Sequence, residues 1–206
     1  MAPSSGEILV IGIDPSLTAT GMVAIGARRQ TPPAAGHEVN VFARFTIKPP
    51  RNGPLAERLA ALRLGVRVTL RHMIALRLGS LEWWVVSEDP TDFTAIAGKK
   101  FRSTESIAKL GAATGVVLAG AYELLSEMEN GTEHLVTFGT KEWLPKTRNK
   151  HGGSHFVDHD LAVQLLRRCY PQLADSTEHE TMAAGVAMHH ARRVLDNMAR
   201  RQGPAA

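Results

Sequence analysis

Apolar and polar positions fall in blocks along the chain, and the blocks set the elements. Residues 8–13 form a short apolar run that ends in Asp14, and a second apolar run begins after Gly21. Apolar and β-branched residues bounded by turn signals predict a buried strand, a tight Pro-Ser-Leu-Thr connection and an antiparallel return strand. Residues 39–47 alternate as a third strand, which Lys48, Pro49 and Pro50 stop. Pro54 opens a helix to about Leu78, with Leu55, Leu59, Leu62, Val66, Leu70 and Ile74 as its apolar stripe. Arg63, Arg67 and Arg71 recur on another face and read as a solvated charged row. Residues 81–87 are a second buried strand, followed by Glu88 and Asp89. Ser103 or Thr104 caps a helix that runs to Leu125. Its many small residues, Gly111 and Gly115 among them, lower intrinsic helicity and suit close packing against another helix. A short strand at 135–138, a basic loop at 139–153, an amphipathic helix at 158–170 and a last helix at 177–198 complete the order.

Three antiparallel strands extended by parallel ones through helical crossovers predict a mixed α/β sheet with helices on its faces. The 206 residues suit a single domain, 1–206, with an ordered core over about 8–198 and flexible tails at 1–6 and 202–206. An apolar share of 44% with 21% charged residues is that of a globular chain. The single cysteine, Cys169, rules out an internal disulfide and suits a reducing compartment. No unbroken apolar run reaches the ~18 residues of a membrane span, and the N-terminus lacks the regions of a signal peptide, so no membrane association is expected. A net charge of +4 and a pI near 9.5 favour an anionic partner.

Asp14 and Glu88 each follow a buried strand. If those strands are neighbours, both acids meet at one edge of the sheet, where open α/β proteins place their sites. Converging carboxylates are what Mg²⁺ or Mn²⁺ prefers, and such a site can serve phosphodiester cleavage. Strand-end acids in contact with solvent are the competing explanation.

The segments IGIDPSLTATG, VVSEDPTDF, ESIAKLGAATGVVLAGAYELL and EHETMAAGVAMHHA resemble, in this order, the RuvC-type Holliday-junction resolvases. The resemblance runs from about Ile8 to Ala191. It implies a ribonuclease-H-like fold and a homodimeric, Mg²⁺-dependent endodeoxyribonuclease acting on branched DNA, with Mn²⁺ able to substitute. It also implies a cytoplasmic protein of bacterial or phage origin. The family's metal ligands map onto Asp14 and Glu88, and its dimer interface maps onto the helix from Ser103 to Leu125.

The last helix departs from the family. The two ligand positions expected there, three residues apart, are His179 and Met182, and a thioether is a poor Mg²⁺ ligand. On a helix, Asp175, Glu178 and Met182 share one face with His179 beside them, whereas Glu180 points away. Glu178 with His179 is therefore the preferred ligand pair, with Glu180 an outside candidate. A capping box from Asp175 to Glu178 competes with that assignment.

The resemblance also places an aromatic that intrudes among bases near Phe93. Lys99, Lys100, Arg102, Lys146, Arg148 and Lys150 lie on two loops flanking the site and suit phosphate contacts. His151, His155 and His159 are spaced by four, but an irregular loop with one cysteine in the chain makes a poor zinc site. Two rival functions stand beside the nuclease. One is a junction-binding protein without catalysis, motivated by Met182. The other is a phosphotransferase of the actin and sugar-kinase type, for which the chain is too short.

Overall fold

The computed structural model describes residues 7–30, 37–75, 82–89, 104–144, 146–148, 154–156 and 159–202. β1 (Ile8–Asp14) is buried at every residue, so its sequence is continuously apolar instead of alternating. It pairs antiparallel with β2 (Thr20–Arg29), from Ile8 opposite Ala27 to Asp14 opposite Gly21. β2 pairs antiparallel with β3 (His37–Ile47), and β4 (Trp83–Asp89) lies parallel to β1 on its other side. β5 (Leu135–Gly139) extends the sheet parallel to β4, giving the order β3-β2-β1-β4-β5. The mixed sheet expected from the strand pattern is therefore present.

Alternate side chains of β1 serve two cores. Leu9, Ile11 and Ile13 face α1 (Leu55–Ala75) and α2 (Thr104–Ser126), where they meet Val66, Leu70, Met73, Val117, Ala121 and Leu125. Ile8 and Val10 face α4 (His159–Cys169) and α5 (Glu178–Gln202), whose Val163, Met182, Ala183, Val186 and Ala187 fill the other core. Helices thus cover both faces. α5 lies so close to the sheet that a side chain could not fit beneath it. A Cβ on Gly12 would collide with the Ala183 carbonyl, and one on Gly21 with the backbone of His179. Those two glycines bring the first turns of α5 down onto the ends of β1 and β2.

Several elements differ from the pattern read along the chain. β4 runs through Asp89, so Glu88 lies inside a strand and not after it. α5 begins at Glu178, which leaves Asp175 in the turn before the helix and removes it from any helical face. Within 139–153, a short helix α3 (Thr140–Trp143) and a strand β6 (Lys146–Arg148) replace the expected loop, and β6 pairs antiparallel with β7 (Ser154–Phe156). The arginine row of α1 is not merely solvated. Arg63 pairs with Glu123, and Arg67 and Arg71 reach Glu127 at 2.8 and 2.9 Å, so the row ties α1 to α2. By length and composition alone, residues 105–126 of α2 could cross a membrane, although their apolar residues form no unbroken run of that length. A third of that stretch is buried within the chain, and its inner side belongs to the core described above.

Candidate functional site

The parallel register of β1 and β4 ends at Ile13 opposite Ser87. Asp14 and Glu88 are one residue further along each strand, on adjacent strands spaced about 4.8 Å apart. They also share a face. Val86 packs in the α5 core, so Glu88 two residues later points the same way, and Asp14 reaches α5 directly. Both carboxylates are buried, at 8% and 7% exposure. Buried carboxylates side by side are costly unless paired or bound to a cation.

His179, in the first turn of α5, supplies a third group. Its Nδ1 lies 2.6 Å from Asp14 Oδ2. An ionised carboxylate only accepts, so the histidine Nδ1 is the donor in this bond. The hydrogen bond from Asp14 raises the histidine above its ordinary value, against the lowering effect of burial, with the charges of Asp14 and Glu178 adding to the rise. Protonation of the imidazole would offset the charge of the paired acids. A divalent cation would serve the same electrostatic purpose, and the donor set of two carboxylates and one imidazole suits Mn²⁺ and Mg²⁺. The types of donor present fit such an ion.

The connection between β1 and β2 is held by its own hydroxyls and by the helices behind it. Thr20 Oγ1 donates to the Ser16 carbonyl at 3.0 Å, and Ser16 N donates back to Thr20 Oγ1 at 3.2 Å. Leu17 is buried against Leu62 and Ala113, and Arg58 donates to its carbonyl at 3.2 Å. The backbone that carries Asp14 is thereby fixed on both sides.

The remaining predicted ligands lie elsewhere. Glu178 is exposed and its Oε1 lies 2.7 Å from His159 Nδ1 at the start of α4, with Asp160 beside them. Those three residues, one candidate oxygen or nitrogen each, cluster within 4.8 Å as a group able to hold a cation, away from Asp14 and Glu88. Met182 is 1% exposed and sits in the core between α5 and the sheet. Glu180 does not point away. It is buried and accepts from Thr46 Oγ1 at 2.6 Å and from Thr177 N at 2.9 Å, while Glu180 N donates to Thr177 Oγ1 at 3.2 Å. The capping box of this helix is therefore Thr177 with Glu180, not Asp175 with Glu178. The S/T-x-x-E spacing was present in the sequence as its signal. Lys146 and Arg148 lie on β6. Phe93, Lys99, Lys100, Arg102 and Lys150 lie outside the described residues.

No family model matches the chain. The crossover junction endodeoxyribonuclease RuvC of Azorhizobium caulinodans is 35% identical over 116 residues, which are 56% of this chain and 55% of that protein. The chain thus spans about half the length of the curated relative it matches. Among solved structures, Thermus thermophilus RuvC in complex with Holliday junction substrate matches with a TM-score of 0.59 at 21% identity, covering 92% of this chain and 96% of that one. Another Thermus thermophilus RuvC structure matches at 0.61 and 19% identity over the same shares. The fold is the ribonuclease-H-like mixed sheet, and the resemblance to RuvC-type resolvases holds in both sequence and architecture.

Proposed function

We propose that the chain is a divalent-metal-dependent, structure-specific endodeoxyribonuclease that resolves Holliday junctions or other branched DNA by paired phosphodiester cleavage. The observation that carries this reading is that Asp14 and Glu88 lie at the ends of adjacent parallel strands at one edge of the sheet, with His179 of the helix above bonded to Asp14. The relatives' names point the same way: one is a crossover junction endodeoxyribonuclease, and one structure holds a Holliday junction.

Asp14, Glu88 and His179 would hold Mg²⁺, with Mn²⁺ able to substitute, and Glu178 is the fourth candidate once it leaves His159. When bound, such an ion supplies a water nucleophile at neutral pH and charge stabilisation at the phosphate. The chain's own work is to place the donors. Asp14 holds the His179 ring through Nδ1, and a cation shared by the two side chains would take the place of the proton between them. Lys99, Lys100, Arg102, Lys146, Arg148 and Lys150 would neutralise backbone phosphates, and Phe93 would stack on an exposed base. Two cuts require two sites. The outward face of α2 carries Ile107, Gly111, Gly115, Ala119 and Tyr122, spaced so as to share one side, and Ile107 and Tyr122 are 37% and 55% exposed. A second copy docked on that face would form the homodimer. The reading places the protein in the cytoplasm of a bacterium or of a phage-infected cell.

The test is cleavage of a synthetic four-way junction in Mg²⁺ by Asp14→Asn. Cleavage is expected to disappear while junction binding persists, and undiminished cutting would overturn the mechanism.

The core position of Met182 favours a second reading, a junction-binding protein of the same fold without catalysis. Tight junction binding with no nick in either Mg²⁺ or Mn²⁺ would select it.

A further inference from the structure

Glu180 is a buried carboxylate that the proposed chemistry leaves unused, and it bonds across the molecule to β3. Its place becomes clear from the sheet register. Thr46 is the partner of Gly21 across β2 and β3, and Gly21 is the partner of Asp14 across β1 and β2. Thr46, Gly21 and Asp14 therefore form one row across three strands. The first turn of α5 lies over that row and touches each member. Glu180 Oε1 accepts from Thr46 Oγ1 at 2.6 Å, the backbone of His179 rests on Gly21, and the His179 ring bonds Asp14 at 2.6 Å.

The row fixes the helix at both ends of the turn. Thr46 Oγ1 also lies 2.9 Å from Thr177 Oγ1, so the sheet holds both partners of the capping box. A part-buried hydrogen bond of 2.6 Å to a carboxylate is at the strong end of its range, and losing Thr46 would leave Glu180 short of a partner. With Gly21 as the pivot beneath His179, the bond at Thr46 sets how the turn is rotated about the pivot. That rotation determines where the imidazole meets Asp14.

We propose that Glu180, clamped by Thr46 and Thr177, is a positioning residue that sets the place of His179 on Asp14 and with it the geometry of the cation site. The inference rests on the nuclease reading above for its consequence, since a misplaced His179 matters only if it ligates.

The test uses Thr46→Val and Thr46→Ser. Both leave the α5 sequence, its capping box and all candidate ligands unchanged, and only the first removes the hydroxyl. Mn²⁺ binding to the DNA-free protein is measured by calorimetry well below the unfolding temperature, alongside junction binding in EDTA and single-turnover cleavage. Thr46→Val is expected to weaken Mn²⁺ binding on the order of tenfold, as loss of a group that orients a ligand does. Its cleavage rate should fall with unchanged junction affinity, and Thr46→Ser should restore both. Glu180→Gln keeps only one of the two acceptors and should lie between wild type and Thr46→Val. Wild-type Mn²⁺ affinity in Thr46→Val, or equal losses in the valine and serine variants, would overturn the positioning role while leaving the nuclease reading in place. A wild-type protein that neither binds Mn²⁺ nor cuts would overturn the nuclease reading itself, and the positioning role with it.

Discussion

His179 Nδ1 and Asp14 Oδ2 meet at 2.6 Å across 165 residues of sequence. The contact joins the first strand of the sheet to the last helix. It makes the imidazole part of the site despite lying on an otherwise ordinary helix start. His179→Ala should therefore lower Mn²⁺ affinity at least about tenfold, as measured by calorimetry on DNA-free protein. The change also takes the imidazole from the buried Asp14, so the thermal midpoint should fall as well. Unaltered affinity would remove His179 from the ligand set.

Met182 belongs to the packing of the molecule. It is 1% exposed among Leu173, Ala183 and Val186. Met182→Asp should destabilise the fold by about 3 kcal/mol or more, because it buries a charge in an apolar layer. Met182→Leu conserves volume and should cost less than about 1.5 kcal/mol. Urea unfolding distinguishes the two. A well-folded Met182→Asp protein would show that this position can turn to the site.

The outward face of α2 should carry the dimer. A Cβ built on Gly111 or Gly115 meets nothing within 4 Å, so larger side chains there leave the single chain's packing intact. Gly115→Leu or Gly111→Arg should yield a folded monomer by light scattering. Its junction cuts should be uncoupled single nicks. A dimer that survives both changes would place the interface elsewhere.

His190 gives the fold a pH dependence. Burial, followed by the charge of Arg193 and by His189, pushes it down to about 4 from 6.5. Both ring nitrogens are buried without a hydrogen-bond partner, and the ring packs against Trp84. The folded state therefore holds fewer protons on this residue than the unfolded state. Stability should fall as pH drops below 6.5 and level off below about 4. The loss is on the order of 2 kcal/mol after allowance for solvent screening. His190→Phe should flatten that slope in denaturant melts at pH 7 and pH 4.5. An unchanged slope would assign the acid sensitivity to another group.

The parts of this molecule legible in sequence are those set by local pattern. β1, β2 and β4 follow from short apolar runs, and Asp14 and Glu88 drew notice as acids beside them. That the two acids share a face depends on the β1–β4 register, which no local pattern encodes. Helical spacing shows neither that Asp175 precedes the helix nor that α5 seats with Glu180 on Thr46 of β3. The helix starts later, at a cap that Thr46 of a distant strand helps to hold. Arg63, Arg67 and Arg71 read as solvated because their partners, Glu123 on α2 and Glu127 in the turn just after it, lie 56 to 60 residues away. In each case the missing information was a tertiary contact, not a propensity.

The most direct test of the convergent site is Glu88→Gln. This change removes one charge from the strand neighbouring Asp14 and keeps the shape of the side chain. Single-turnover cleavage of a four-way junction in Mg²⁺ should fall by at least about a hundredfold, while binding of the same junction in EDTA stays within about twofold. Cleavage at the wild-type rate would contradict the account.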